Sequence, residues 1–321
     1  MEIIDLRHFT SADLRPLLEE ETHAWEHLLS WDYSSSADMI LRYVDARILP
    51  GYAAVERGRL HGYSFFVYEG SKGVIGDLFV AEESLTNGKG SHTIENRLVT
   101  HVVETLQQSP GVHRIEAQLL VHPSGAMAKP FESQGFRRFP RLFMTLPLRK
   151  NSNGNGKNGV PQAPKDFEIR RWTEADYQIA ANLITECYRG HIDSEINDQY
   201  RTSQGALRFL NNIVRFPGCG FFDNNASFIA TESATGTIVG VILCSRVKGD
   251  VGHITQVCIL PQYRGHHLGW ALMEASAYDL QRRNFTLLSL TVTEANHNAV
   301  ELYKRLGFSI ERVFDAFVWE G

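Results

Sequence analysis

The amino-acid sequence predicts a mixed α/β protein that consists of two tandem copies of one unit. Three observations lead to this prediction. The chain has 321 residues, which is long for one compact domain and sufficient for two, each with its own core. Residues 151–165 are rich in Gly, Asn, Ser and Pro and nearly lack apolar side chains, as flexible tethers do. The segment after this tether repeats the pattern with which the chain begins.

The two copies match element by element in chain order. Residues 4–13 align with residues 167–176, and each segment has the pattern of an opening strand followed by a Thr that can cap a helix. The further matches are a hairpin-like segment, a strand-like segment and a Gly-Phe pair before the last strand: 60–63 with 238–241, 72–80 with 248–259, and 135–136 with 307–308. We therefore predict one domain at 1–150, a linker at 151–165 and a second domain at 166–321.

The composition argues against several classes of protein. A net charge of −5 and a pI near 6.2 are unlike those of a general nucleic-acid binder, which carries basic patches. The first residues are mixed and acidic, and no apolar run approaches the length that crosses a bilayer, so we expect a soluble cytoplasmic protein. The cysteines are widely spaced without a CxxC pair, which favours buried thiols over disulfides or a metal site. They are Cys187, Cys219, Cys244 and Cys258.

One stretch of the second copy, from His253 to Leu272, has the pattern strand, turn, helix. A β-branched run at 254–259 ends at Pro261, which cannot continue a ladder, and a helix-forming run begins at Trp270. The residues between them precede a helix N-terminus, where free N–H groups and the helix dipole favour an anion. These residues are Arg264, Gly265, His266, His267, Leu268 and Gly269. The stretch fits a pyrophosphate-binding turn, although an ordinary strand-to-helix connection with two glycines would have a similar sequence.

A second pattern follows a strand-like run at 287–292. Its residues are Asn296, Ala299, Leu302, Tyr303, Gly307 and Phe308. Together with the turn, this pattern resembles the GCN5-related N-acetyltransferase (GNAT) family, whose donor motif is Arg or Gln, two residues, Gly, one residue, then Gly or Ala. The motif falls on Arg264, His267 and Gly269, and His267 replaces the usual Gly with a residue type that tolerates positive φ. The chain resembles the tandem form of the family with a degenerate N-terminal copy.

The resemblance implies a fold and a donor site. Each copy would be an α/β (α+β) unit with a mixed, mostly antiparallel twisted sheet flanked by helices. The strand that bears Val257, Cys258 and Ile259 would part from its neighbour, pair with the pantetheine arm of coenzyme A and polarise the thioester through a backbone N–H. The pyrophosphate would lie on the amides from Gly265 to Trp270. Acetyl-CoA is therefore the expected co-substrate, and no metal is expected.

The resemblance also implies catalytic roles. Tyr303 stands at the position of the general acid, and Asn296 at a position that contacts the cofactor or orients the site. A primary amine with a pKa of about 10.4 is protonated at neutral pH, so a base or a water chain must take its proton. His253 aligns with a base of the histone-acetylating branch, while an ordinary strand histidine is an equal interpretation and Glu294 ranks below it. Burial of Cys258 in an apolar strand favours direct transfer over an acyl-enzyme.

The segment 188–222 lies where the family builds its acceptor site. His191, Asp193 and Glu195 cluster there and could bind a cationic acceptor or a metal, or form a solvated loop. The expected acceptor is a small-molecule or peptide amine. We expect neither nucleic acid nor a membrane as a partner, and we expect a monomer or a homodimer.

The first copy does not keep this chemistry. Counting back from each Gly-Phe pair, Phe131 takes the place of Tyr303 and Ser124 that of Asn296. Its turn at 82–90 has two carboxylates, which repel phosphates, although its Gly-Lys-Gly could still form an anion nest. We therefore predict an N-acetyltransferase with one working site in the second copy and a first copy that is a scaffold or a wall of the acceptor cleft. The alternative function is a non-catalytic acyl-CoA-binding sensor or interaction module.

Overall fold

The computed structural model of the chain describes residues 1–81, 91–148, 162–215 and 220–321, without the side chains of residues 91–93. The acidic turn at 82–90, Cys219 and most of the predicted linker lie outside the described residues. The described residues form two compact units. The first unit contains Met1–Arg141 together with Val313–Gly321, and the second contains Leu142–Arg312.

The helices and strands alternate along both halves of the chain. The first half contains β1 (Glu2–Asp5), α1 (Ser11–Leu29), α2 (Ser34–Asp45), β2 (Gly51–Glu56), β3 (Arg59–Glu69), β4 (Lys72–Val80), α3 (Ser91–Gln108), β5 (Arg114–Gln118), α4 (Ala128–Glu132) and β6 (Arg137–Pro147). The second half contains β7 (Phe167–Arg171), α5 (Tyr177–Cys187), α6 (Asp193–Ile196), α7 (Ser203–Arg215), β8 (Phe221–Phe222), β9 (Phe228–Glu232), β10 (Ile238–Lys248), β11 (Val251–Ile259), α8 (Leu268–Arg282), β12 (Leu287–Thr293), α9 (His297–Leu306) and β13 (Ser309–Glu320). Of the helices so described, none has the length and apolar character needed to span a membrane.

Each unit has a mixed sheet, and the order of strands is equivalent in the two. The first sheet has the order β1-β2-β3-β4-β5-β13, in which β4 and β5 are parallel and the other neighbours are antiparallel. The second has the order β7-β9-β10-β11-β12-β6, in which β11 and β12 are parallel while β7, β9, β10 and β11 pair antiparallel. The predicted fold class, a mostly antiparallel twisted sheet flanked by helices, is confirmed.

The opening helix of each unit begins with the same set of hydrogen bonds. The N–H and the hydroxyl of Thr10 donate to Asp13 Oδ2 at 2.8 and 2.7 Å. The same groups of Thr173 donate to Asp176 Oδ2 at 2.8 and 2.9 Å. Both predicted Thr caps are therefore present, and each satisfies backbone groups that the first turn of a helix leaves unpaired.

The central strands β4 and β11 share an irregularity at matching positions. Gly76 is an extra residue in β4, where the register against β3 shifts by one, and Thr255 is the extra residue in β11 against β10. Before the bulge, each strand pairs with its parallel neighbour, at residues 72–75 and 251–254. After the bulge, that pairing ends in both units. The matching backbone supports the duplication that the sequence suggested.

The last strand of each unit is supplied by the other half of the chain. In the first unit β13 pairs with β5, and the carboxylate of Asp315 accepts bonds from Ser124 Oγ at 2.7 Å and from the Gly125 N–H at 2.6 Å. In the second unit β6 is the neighbour of β12, and just beyond it the Leu148 N–H donates to the Thr286 carbonyl at 2.8 Å. Each unit is therefore built from two separate parts of the sequence.

The two compact units have other bounds than the predicted domains. The units divide after residues 141 and 312, whereas the sequence pointed to domains at 1–150 and 166–321. The difference arises because each Gly-Phe strand was assigned to the copy that precedes it, since consecutive segments usually pair. The two strands that follow the Gly-Phe pairs are equivalent, so their sequences do not indicate that each pairs in the unit of the other half of the chain.

The first unit contains a buried pair of carboxyl groups between α1 and β4. Glu21 and Asp77 are 0% and 4% exposed. Tyr63 and Trp25 donate hydrogen bonds to Glu21, and Tyr33 donates to Asp77 Oδ2 at 3.1 Å. Burial, reinforced by the negative charge of Asp77, raises the pKa of Glu21 well above its ordinary value.

We expect Glu21→Gln to remove a pH dependence of stability. A carboxyl whose folded pKa is raised stabilises the fold below its unfolded pKa and loses that contribution as pH rises toward the folded pKa. The wild type should therefore lose up to about 1.4 kcal/mol per pH unit above about pH 5, and the variant should lose less. Urea unfolding at several pH values measures this. Glu19→Gln, an exposed change on the same helix, should keep the wild-type slope, and an equal slope in Glu21→Gln would contradict the expectation.

Candidate active site

The candidate site is a cleft in the second unit where β11 parts from β12. Pairing between these parallel strands ends at Ile254 and Leu290, so among the described residues no strand faces the remainder of β11 on this side. A cavity of about 590 Å³ opens here. Most of the sequence-predicted site residues line it: Val257, Cys258, Ile259, Arg264, Gly265, His267, Leu268, Gly269, Trp270, Asn296 and Tyr303.

The turn between β11 and α8 presents exposed backbone. A short 3-10 helix at Pro261–Tyr263 follows the strand, and Gly265 has a φ of 86°. His267 precedes α8 with φ 59° and ψ 14°, the left-handed conformation that Gly usually supplies. The residue that replaces Gly in the motif therefore already has a positive φ. The N–H groups at the start of α8 are positioned to bind an anion.

Two side chains of the turn have different positions relative to the cleft. The guanidinium of Arg264 donates to the Cys187 carbonyl at 3.2 Å and to the Ile259 carbonyl at 3.4 Å, which holds a positive charge in the cleft lining. His266 is exposed outside the lining, with its ring centroid 5.5 Å from that of Phe167. Of these two predicted binding residues, only Arg264 contributes its side chain to the cleft wall.

Helix α9 bears the second sequence pattern. Asn296 Oδ1 accepts a bond from the Ala299 N–H at 3.4 Å, so Asn296 caps the helix as well as lining the cleft. Gly307 ends the helix with a φ of 96°, in the left-handed conformation of a C-terminal cap. Two further lining residues, Asn298 and Arg305, share one face of this helix with Leu302 of the pattern, and helical spacing would have selected them from the sequence.

Tyr303 combines a buried ring with a position in the cleft lining. It is 7% exposed. Burial raises the pKa of its hydroxyl, with smaller contributions from the negative charge of Asp193 and from Cys258. Because phenols ordinarily titrate near 10, this hydroxyl keeps its proton throughout the neutral range. It can therefore donate a proton to a leaving group.

The structure does not bring His253 to the cleft. It is 4% exposed, its Nδ1 lies 2.9 Å from Ser289 Oγ, and its ring stacks parallel to Phe143 at 6.4 Å. The bulge at Thr255 stands between His253 and the lining residues of β11, and it interrupts the strand alternation that a sequence count assumes. The predicted base and the predicted acid therefore lie in different environments.

The described cysteines are buried and free, as the spacing predicted: Cys187, Cys244 and Cys258. Burial raises the pKa of the Cys244 thiol to about 12. Burial, together with the neighbouring Cys187 thiol, raises the pKa of Cys258 well above its ordinary value. Cys258 therefore stays protonated and is a poor nucleophile. In the described parts of the chain, no group of three or more His, Cys, Asp or Glu side chains could hold a metal ion.

An aromatic group after α5 forms another part of the site. The rings of Tyr188 and Tyr200 stack at 4.4 Å, and His191 meets Tyr188 edge-on at 5.2 Å. The Tyr188 hydroxyl donates to Gln256 Oε1 at 3.1 Å. Tyr188 and His191 line the cleft. The sequence analysis did not select the two tyrosines, although aromatic residues in a polar connecting segment were a usable signal.

The corresponding position of the first unit is packed differently. Phe131, which takes the place of Tyr303, is 0% exposed, stacks on Phe317 at 4.2 Å and meets Phe136 edge-on at 5.1 Å. Ser124, in the place of Asn296, donates its hydroxyl to Asp315. Phe131 therefore packs in the core of that unit, and Ser124 binds its last strand.

Comparisons with known proteins relate this cleft to one family. Residues 181–308 match the model described as the acetyltransferase (GNAT) family. An uncharacterized N-acetyltransferase of Methanocaldococcus jannaschii is 27% identical over 155 residues, which are 46% of this chain and 63% of that protein. The mycothiol acetyltransferase of Thermobifida fusca is 27% identical over 207 residues, which are 59% of this chain and 58% of that protein. The chain therefore spans about three fifths of the length of these relatives.

Solved structures show the same fold over nearly the whole chain. A GCN5-related N-acetyltransferase from Sphaerobacter thermophilus aligns with a TM-score of 0.68 and 17% identity, covering 99% of this chain and 95% of that one. A tandem GNAT protein from the clavulanic acid biosynthesis pathway aligns with a TM-score of 0.61 and 16% identity, covering 99% and 98%. At this identity the likeness concerns the fold.

Proposed function

We propose that this chain, whose residues 181–308 match the acetyltransferase (GNAT) family, transfers an acetyl or short acyl group from coenzyme A to a primary amine. The observation that carries this proposal is the cleft, where the exposed turn at 264–269, the unpaired edge of β11 and Tyr303 lie together. Acyl transfer needs a held donor, a polarised thioester and a protonated leaving group. The turn at 264–269 would hold the donor, the edge of β11 would polarise the thioester, and Tyr303 would protonate the leaving group.

The turn and the strand edge would hold the donor. The amides at the start of α8 and the charge of Arg264 complement the phosphates of coenzyme A. The backbone groups of 257–259 on the side of β12 are free of strand pairing, so an amide of the pantetheine arm can pair there and an N–H can polarise the thioester carbonyl. Coenzyme A supplies the activated thioester, and the protein supplies its position.

Tyr303 would protonate the departing thiolate. Its hydroxyl keeps its proton at neutral pH and lines the cleft. Because the thiol of Cys258 is held protonated, we propose direct attack without an acyl-enzyme. The neutral amine forms the C–N bond as the C–S bond breaks, and a chain of water molecules takes the protons that the nitrogen loses. The acceptor is a small-molecule or peptide amine. The first unit, with Phe131 packed in the matching position, would serve as a scaffold.

Calorimetric titration with acetyl-CoA tests the donor site. The whole protein should bind one molecule per chain. Gly265→Ala places a side chain at φ 86°, where an added Cβ meets no atom within 4 Å, so its effect is conformational. We expect about tenfold weaker binding, because the turn relaxes away from a strain of about 1–2 kcal/mol.

Gly236→Ala provides the matched control. This glycine has a φ of 69° in a turn of the same unit, also with open space around it, and it does not line the cleft. The control should lose similar stability and keep its affinity for acetyl-CoA. Binding without turnover over a broad amine panel would favour a non-catalytic acyl-CoA sensor, and no binding to the wild type would overturn the proposal.

A further inference from the structure

Asp193, one of the three residues that the sequence marked as a possible binding site for a cationic acceptor, is a carboxylate beside the cleft with no role in the transfer proposed above. Its side chain is 14% exposed, and the hydroxyl of Thr293, at the end of β12, donates a hydrogen bond to it. Its negative charge contributes to the raised pKa values of Tyr188 and Tyr303. Both tyrosines line the cleft. Asp193 is not itself part of the cleft lining, but its Oδ2 lies 3.4 Å from Nδ1 of His191, which is, so its carboxylate stands directly behind the cleft wall.

The partners of Asp193 differ from those of other half-buried or buried carboxylates in this unit. Two of those carboxylates each receive two N–H groups of one arginine: Asp176 from Arg170 at 2.6 and 2.8 Å, and Asp223 from Arg283 at 2.8 and 3.0 Å. In the described part of the chain, Asp193 has no Lys or Arg partner. Its charge is paired only with a hydroxyl and with a histidine.

The histidine does not supply the missing charge in this arrangement. His191 Nδ1 accepts a bond from the Asp193 N–H at 3.2 Å, which requires the lone pair of the neutral ring, and it lies 3.4 Å from Asp193 Oδ2. A carboxylate withdrawn from water without a cation is costly. An ammonium group of a ligand would supply that cation.

The aromatic group beside Asp193 suits the same ligand. Tyr188 and Tyr200 stack in this part of the site, and the faces of aromatic rings attract cations. A ligand with its own carboxylate next to the amine would be repelled by Asp193. The combination favours an amine without a neighbouring acid group.

We propose that Asp193 anchors the ammonium group of the acceptor, so that the substrates are cationic primary amines without an adjacent carboxylate. This proposal rests on the proposed function, because it specifies the acceptor of the same cleft. Asp193 acts here as a binding residue that selects charge. It places the nitrogen close to Tyr303 before transfer.

Two probes of similar shape, one cationic and one neutral, test the proposal. Phenethylamine and 2-phenylethanol are titrated at pH 7 in the presence of coenzyme A. The wild type should bind the amine at least about tenfold more tightly than the alcohol. Asp193→Asn keeps an oxygen for Thr293 and should remove this preference by weakening the amine alone. Glu186→Gln removes a charge from the same unit at a side chain that is 45% exposed and outside the cleft lining, and it should leave the preference intact.

The outcomes separate this proposal from the one on which it rests. Asp193→Asn should bind acetyl-CoA as the wild type does. If acetyl-CoA fails to bind the wild type, the proposed function falls, whatever the amine result. If the wild type binds neither probe, or binds both equally, or if Asp193→Asn keeps the preference, the ammonium anchor is wrong.

Discussion

Replacing Tyr303 by Phe should lower kcat by about 10²-fold or more while leaving the affinity for acetyl-CoA nearly unchanged. The substitution removes one hydroxyl from a ring that is otherwise buried, so the packing against Phe308, at 5.9 Å, is kept. General acids typically contribute about 10² to 10⁴ in rate. A loss confined to kcat would indicate an interaction made in the transition state. Steady-state kinetics with calorimetry of acetyl-CoA binding measures both quantities.

A second hydroxyl in the cleft lining provides the control. Tyr263 ends the short 3-10 helix before the turn at 264–269, with its ring edge-on to Phe167 at 6.0 Å, so Tyr263→Phe removes the same group away from the proposed leaving thiolate. It should retain kcat. Since burial raises the pKa of Tyr303, wild-type kcat should also show no decline assigned to this group up to about pH 9. An unimpaired Tyr303→Phe enzyme would remove this residue from the mechanism.

Replacing Phe317 by Ala should destabilise the first unit by about 3–5 kcal/mol, although the residue is near the C-terminus. Phe317 is 0% exposed and packs in the same core cluster as residues of β4, β5 and α3. Its ring stacks on Phe131. Removing it leaves a cavity in a core whose other members lie before residue 140. Hydrogen exchange should show lost protection in β4 and β5.

A position on the same strand tests whether the effect is local. Ile310 belongs to β13 but is 44% exposed and is part of the second unit. Ile310→Ala should therefore change stability by less than about 0.5 kcal/mol. If Phe317→Ala leaves protection in β4 and β5 unchanged, the assignment of the last strand to the first unit is wrong.

Local patterns predicted much of the donor side of the site. The strand, the break at Pro261, the turn and the start of α8 follow from β-branched residues, proline and glycine placed next to one another. The caps of the opening helices follow from Thr and Asp three residues apart. These features depend on contacts within a few residues, so the sequence carries their full signal.

Features that depend on distant contacts were not predictable in this way. The bulge at Thr255 has no composition that marks it, and it separates His253 from the cleft-lining residues of β11. Asp193 meets Thr293 across 100 positions of the chain. The local cluster of polar residues marked Asp193 as a candidate, but its pairing with Thr293 depends on the fold alone.

Because the last strand of the first unit comes from the end of the described chain, the unit that is synthesised first is completed last. The first unit leaves the ribosome early, yet its sheet gains its sixth strand only when Val313–Gly321 has been made. Until then, the edge of β5 and the ring of Phe131 lack the partners that cover them. An exposed strand edge is a site of mispairing, so the first unit should depend on chaperones until Val313–Gly321 has been made.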